Sequence, residues 1–565
     1  MTTRTPLGFR ATREDVQASS MQLTRREARR LDRQVRRVSA SVTGVASEKR
    51  SLRDRVFGEA KDQASTSSTP GPKGWIVPGA GRVNHIEPQP EGFGTSVHVC
   101  GLWPFALGAG APIVGVPLGR HLLNSSTVCA DPISWFLTKR INNPSCFIIG
   151  RPHLGKSALT KRIITVLRAW GVLPMVLSDT KGEYSDLIRE LAGQVIRLGR
   201  GQSAVNPLDF VDIMTELRQI GDGIEDPTER AQAVKRREEA LEEMRGRRMT
   251  TFMGLLSIAR NGRLENHESN VIAAALTMLD ERFTDTAPLI DDVAALIRSR
   301  PERLAEIVQD RGVEERYRDR TEALLDTLGT LTGTGTFGGM FARPTTERVS
   351  MGQAFSFDLS AIPESEVELL GAVQSVCWNY GSALVSAQKH LSEAGLRRSQ
   401  HYFLVMDELW LALRASNAIV YYLDSLTRLN RQRGIGQAMI THTMDDLRLS
   451  TDELTKIAWG FVSRSAMVFL GGLSEGEMGN LATVFSMTKR ERGMITDWSG
   501  EGSDTGPDGV TAEPPGRGKF LLKIGKRPGT PFKLHLTARE MGTNDTNRNW
   551  ADDDAAGYDT AGAAA

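Results

Sequence analysis

The stretch FIIGRPHLGKSALTKR, residues 147–162, decides how the chain is read. It begins inside CFIIG, an apolar run of the length of a short buried strand, and passes through GRPHLGKS, which fits the pattern G-x-x-x-x-G-K-S. It then enters ALTKRIITVLRAW, whose apolar residues recur at helical spacing. Strand, glycine-bounded loop and helix in that order aim backbone N–H groups and a helix N-terminus at one point, which is how a loop wraps phosphate. Gly150 and Gly155 stand where the backbone itself must approach the ligand. On this reading Gly150, Arg151, Pro152, His153, Leu154, Gly155, Lys156, Ser157 and Ala158 bind the nucleotide. Lys156 reaches the β- and γ-phosphates of ATP, and the Ser157 hydroxyl coordinates Mg2+.

A second signal lies far downstream. HYFLVMDELW (401–410) is an apolar strand ending in two carboxylates, Asp407 and Glu408. Asp407 is expected to hold the Mg2+ shell, and Glu408 to orient and deprotonate the attacking water. In LTRLNRQRGIGQAMITHTMDDL (426–447) a helix leads into a strand ending at Thr441 and His442. A polar group there can sense the γ-phosphate, although a lone histidine serves as readily in a structural role. Arg428, Arg431 and Arg433 precede the strand, either as surface residues or, in a ring of subunits, as a guanidinium reaching a neighbour's phosphate. Asp179 and Glu183, in SDTKGEY, close another strand and fit either a crevice beside the nucleotide or an ordinary surface turn.

Outward from these motifs the chain divides. Residues 1–75 form a basic helical or disordered arm with a linker, STSSTPGPKG (65–74), and its arginines make it a candidate handle for lipid, a partner or DNA phosphates. Residues 76–140 read as a short β-rich segment. Residues 141–210 and 331–543 alternate strands and helices as an α/β domain, interrupted at 211–330 by charged helical segments without a strand. The acidic, small-residue tail at 544–565 is expected to be disordered.

Composition narrows the classes. With 40% hydrophobic and 24% charged residues among 565 and a net charge of +2, this is a multidomain globular chain rather than a general nucleic-acid binder. Four cysteines without CxxC spacing give no zinc or disulfide framework. The apolar stretch at 101–119 is broken by glycine and proline, so no transmembrane segment is expected.

The string VLSDTKGEYSDLIRELAGQVIRLGRGQSAVNPLDF (176–210) resembles the DP-x-GEY … GG-x-V-I-x-L … NP-x-D signature of the traffic ATPases of conjugation and type IV secretion, the TraC/TrbE/VirB class. The likeness runs from GVPLGRHLLNSSTVCADP (115–132) through VMDELWLAL (405–413) to GRGKFLLKIGKRPGTPFKLHLTARE (516–540). It implies a RecA-like P-loop NTPase core of the HerA/FtsK group with an all-α insertion. It further implies ATP hydrolysis by Gly150, Gly155, Lys156, Ser157, Asp407 and Glu408, with Arg431 or Arg433 as a trans finger in a hexamer. A cytoplasmic location at the inner face of the cell membrane, beside secretion or conjugation components, follows from the same likeness. Three features depart from the family: His153 stands where a further glycine is usual, His442 where glutamine is usual, and a long N-terminal docking domain is expected to be largely missing. Two other functions remain open, a DNA translocase or coupling protein of the same group and a nucleotide-binding scaffold with little turnover.

Overall fold

The computed structural model describes residues 112–333, 335, 337–415, 417–500 and 514–544. The basic arm at 1–75, residues 76–111 and the tail from 545 lie outside the described residues. Eleven strands are present among those described: β1 (Pro117–His121), β2 (Thr127–Cys129), β3 (Ser145–Ile149), β4 (Leu173–Asp179), β5 (Gln194–Arg197), β6 (Phe355–Asp358), β7 (Tyr402–Met406), β8 (Ile435–Thr441), β9 (Met467–Leu470), β10 (Lys519–Lys523) and β11 (Thr530–Leu534). The helices that precede the insertion are α1 (Pro132–Leu137), α2 (Lys156–Ala169) and α3 (Ser185–Glu190). Those of the insertion are α4 (Val211–Arg218), α5 (Pro227–Ala259), α6 (Asn266–Asp280), α7 (Ile290–Arg298), α8 (Glu302–Val308) and α9 (Glu314–Thr330). After it come α10 (Val367–Glu393), α11 (Leu409–Ala415), α12 (Asn417–Leu429), α13 (Asp452–Arg464), α14 (Glu477–Val484), α15 (Lys489–Asp497) and α16 (Ala538–Thr543).

All strands join one sheet in the order β2-β1-β11-β10-β9-β3-β8-β7-β4-β6-β5. From β9 to β5 every pairing is parallel, and from β10 to β2 every pairing is antiparallel. The parallel strands are covered on both faces, which is why SCFII, LPMVLSD and YFLVM are buried at every position and show no polar alternation. Successive side chains of β3 go to opposite layers: Cys146 and Ile148 pack with Leu159, Ile163 and Leu167 of α2, whereas Phe147 and Ile149 join the core that includes Val373, Val376 and Leu384 of α10.

The strand pair β1–β2 lies in the segment that the sequence sets apart at 76–140, yet β1 pairs with β11, His121 opposite Phe532, and so extends the main sheet. Between β5 and β6 the chain forms α4 to α9, with no strand among the described residues there. Asp226 starts the long α5 by accepting from the N–H groups of Thr228 and Glu229, with Pro227 at the first helical position. Glu243 of α5 is held against α10 by the Ser386 hydroxyl at 2.6 Å and by His390 Nε2 at 2.8 Å.

Candidate active site

The loop after β3 is shaped by its neighbour β9. A Cβ at Gly150 would lie 3.0 Å from the Cα of Gly471, so the two backbones pass too closely for a side chain at Gly150. The Arg151 N–H donates to the Gly472 carbonyl at 3.0 Å, fixing the first step of the loop. The loop then turns twice through left-handed backbone, at His153 (φ 62°) and at Gly155 (φ 98°), where α2 begins. Glycine adopts that region freely, and histidine is among the residues that tolerate it best, which accounts for a side chain at this turn. The His153 side chain is exposed.

Sheet order then assembles the site. Because β8 lies between β3 and β7, the residue following β8 falls between the ends of those strands. That residue is His442. Its Nδ1 lies 2.8 Å from Lys156 Nζ, and its Nε2 lies 3.1 Å and 3.0 Å from the two oxygens of Glu408. Ammonium only donates, so Nδ1 accepts from Lys156 and the proton on Nε2 faces Glu408. Lys156 is buried and also donates to the Gly150 and Arg151 carbonyls at 2.8 and 3.2 Å, which uses all three of its N–H groups. Burial lowers its pKa to about 8, against the opposing pull of Asp407 and Glu408.

Glu408 sits in left-handed backbone (φ 48°) between β7 and α11, a conformation that costs about 1–2 kcal/mol for a residue with a side chain. Its carboxylate also receives Lys181 Nζ at 2.5 Å and Trp410 Nε1 at 2.7 Å. Burial alone would raise its pKa, but His442 and Lys181 outweigh that and hold it at about 2. Asp407 goes the other way: loss of solvation, then the charge of Glu408, raises its pKa. The Tyr184 hydroxyl donates to Asp407 at 2.7 Å and the Glu408 N–H at 2.9 Å. Tyr184 is fully buried, and its own N–H and that of Glu183 bond the Asp179 carboxylate, each at 2.9 Å.

One loop, residues 180–184, thus supplies a partner to each carboxylate, Tyr184 to Asp407 and Lys181 to Glu408. The sequence reading singles out Asp179 and Glu183 there and misses Lys181, Tyr184 and Trp410. Arg431 and Arg433 are not brought to this chain's own site. They precede β8, at its opposite end from His442; the Arg431 guanidinium lies 5.5 Å from the Phe136 ring centre and Arg433 bonds the Ser382 hydroxyl at 3.1 Å.

The cradle fits a nucleotide with its cation. Among the described residues no group of three or more His, Cys, Asp or Glu side chains is arranged to hold a metal by itself. Mg2+ takes few protein ligands and completes its octahedron with phosphate oxygens and water, so a hydroxyl and one carboxylate are a sufficient protein share. Glu183 Oε2 is buried without a hydrogen-bond partner among the described residues, a lone acceptor beside the cluster.

These features define an α/β protein with a RecA-like P-loop NTPase fold and an all-helical insertion. No protein-family model matches the chain, and no curated protein matches it. Solved structures do. VirB4 of Thermoanaerobacter pseudethanolicus superposes with a TM-score of 0.51 at 17% identity, covering 77% of this chain and 100% of that one. The plasmid coupling protein TrwB, solved with a non-hydrolysable ATP analogue, superposes more weakly, with a TM-score of 0.41 at 11% identity over 76% of this chain and 96% of that one. The likeness to type IV secretion ATPases read from the motifs is therefore borne out at the level of the fold.

Proposed function

We propose that this chain binds ATP with Mg2+ and hydrolyses it, and that the hydrolysis powers substrate transfer or apparatus assembly in a conjugative or type IV secretion system. The observation that carries the reading is the junction at His442, which joins Lys156 of the phosphate loop to Glu408 at the end of β7. Residues Gly150 to Ala158 form the cradle; Lys156 exchanges one of its backbone carbonyls for a phosphate oxygen. Ser157 and Asp407 would hold Mg2+, whose positive charge, when bound, offsets that of the phosphates. Glu408 orients the water and takes its proton, and His442 keeps the cationic and basic halves of the site in register. In a hexamer, Arg431 or Arg433 of one subunit would serve its neighbour, which agrees with their distance from the site of their own chain. No helix among the described residues is long and apolar enough to cross a membrane; the docking we propose is peripheral, at the inner face of the cell membrane.

The test is steady-state ATP turnover of the full chain, with and without DNA, beside Lys156→Ala and Glu408→Gln. Turnover lost in both variants supports hydrolysis, and strong stimulation by DNA would favour the translocase. The three groups on Glu408 also favour a scaffold that binds nucleotide and turns it over little; bound analogue with no turnover under any condition would establish that instead.

A further inference from the structure

We infer that Lys181 is a latch on Glu408: its ammonium occupies the carboxylate that the proposed reaction needs as its base, and its departure sets the rate at which the site becomes competent. The inference rests on the hydrolytic reading above and adds to it a residue and a step. A carboxylate has two oxygens and about four acceptor positions. On Glu408, Lys181 takes Oε1 at 2.5 Å, Trp410 takes Oε2 at 2.7 Å, and His442 Nε2 lies within hydrogen-bond reach of both oxygens. A water held by this group must compete with all three donors for its proton acceptor.

The three are not equivalent. Trp410 is two residues away on α11, and His442 is held by its bond to Lys156 and by its N–H to Asp446 at 3.2 Å. Lys181 belongs to a loop whose far end is anchored, Tyr184 being buried and bonded to Asp179 and Asp407. The lysine itself is at the open end, with its side chain 44% exposed against 7% for Glu408. Gly182 follows it in left-handed backbone (φ 68°), a turn that glycine makes without strain. Lys181 is thus the donor that can leave without unpacking anything, and the solvent it enters is already at its side chain. Holding Glu408 until then limits idle consumption of nucleotide.

Two measurements on the full chain test the latch. Steady-state ATP turnover is compared among wild type, Lys181→Met and Lys181→Arg, with binding of a fluorescent non-hydrolysable ATP analogue as the check on the cradle. Lys181→Met is expected to raise kcat about threefold or more, and Lys181→Arg, which restores a cation, to return it to the wild-type level or below. Turnover of Lys181→Met at or below wild type with analogue binding intact overturns the latch. Independently, acylation of lysines in the nucleotide-free protein is followed by peptide mass spectrometry. Labelling of Lys181 should rise about threefold in Glu408→Gln, because the ion pair that protects it is gone; equal labelling overturns the contact. If no variant hydrolyses ATP while the labelling difference holds, the hydrolytic reading falls and the latch falls with it, leaving only the Lys181–Glu408 ion pair; if the variants hydrolyse ATP but Lys181→Met gains nothing, the latch alone falls.

Discussion

Lys156 Nζ and His442 Nδ1 lie 2.8 Å apart although 286 residues separate them. The imidazole bridges two groups with opposite needs, accepting from the ammonium through one nitrogen and donating to Glu408 through the other. A glutamine amide offers the same pair, an acceptor oxygen and a donor nitrogen, about as far apart as the two ring nitrogens. His442→Gln should therefore retain most of the ATP turnover, while His442→Ala, which leaves both partners without their bond, should lose about tenfold or more, equivalent to about 1.4 kcal/mol. Side-by-side kcat measurements check this; equal losses in the two variants would show that the bridge is not what the ring contributes.

The approach of Gly150 to Gly471 is asymmetric. A Cβ at Gly150 would meet backbone at 3.0 Å, whereas one at Gly471 would meet Gly150 Cα at 3.5 Å and the Ile149 carbonyl oxygen at 3.6 Å, ordinary contact. Gly150→Ala should destabilise by about 1–3 kcal/mol, because β3 or β9 must shift. Gly471→Ala should stay within about 1 kcal/mol of wild type. Thermal unfolding of the two variants decides, and nucleotide-analogue binding should fall with Gly150→Ala alone.

Much of this site could be read before the fold was known, and the reason is local. A phosphate loop, a strand ending in Asp407-Glu408 and a strand ending in His442 each carry their chemistry within a few residues, and parallel strands bring their carboxyl ends to one crevice. What the sequence could not provide is strand order. That His442 falls between Lys156 and Glu408 depends on β8 pairing with both β3 and β7, a long-range choice. The same limit hid the placement of β1, whose partner residues in β11 are some four hundred positions away, His121 against Phe532. Lys181 and Tyr184 are missed because TKGEY has the composition of a surface turn, and only the bonds of Tyr184 to Asp407 and of Lys181 to Glu408 give it a task.

The junction of the helical insertion with the core should show an acid dependence. Glu243 is stabilised as a carboxylate first by its hydrogen bond to His390, with burial opposing and Ser386 and Arg247 adding to it, so its pKa in the folded chain lies well below the usual glutamate range. A group depressed on folding contributes stability that is complete above its unfolded value, about 4.3, and is lost as the pH falls towards the folded one. The stability that Glu243 contributes relative to Glu243→Gln should therefore be lost as the pH falls from about 4.3 towards the folded value. Denaturant unfolding across that range tests it. A difference that stays undiminished well below about pH 4 would mean that the carboxylate is not what α5 and α10 share.

His153 is the last departure, and its left-handed backbone makes a sharp prediction. At φ 62° a glycine would relieve about 1 kcal/mol of steric cost but would lose about 0.5–1 kcal/mol to the greater freedom of the unfolded chain. The two nearly cancel, so His153→Gly should leave the unfolding midpoint close to that of wild type. The side chain is exposed and the cradle is expected to use the backbone N–H at this position, so analogue affinity should also change less than about twofold, a few tenths of a kcal/mol. His153→Val is different, because a β-branched side chain is a poor fit to this region. It should lower stability by about 1 kcal/mol or more and weaken analogue binding, since the loop can regain comfortable backbone only by moving its N–H groups off the phosphate path. If valine were tolerated as well as glycine, the turn at His153 would not be needed for the cradle, and the left-handed step at Gly155 alone would set its shape.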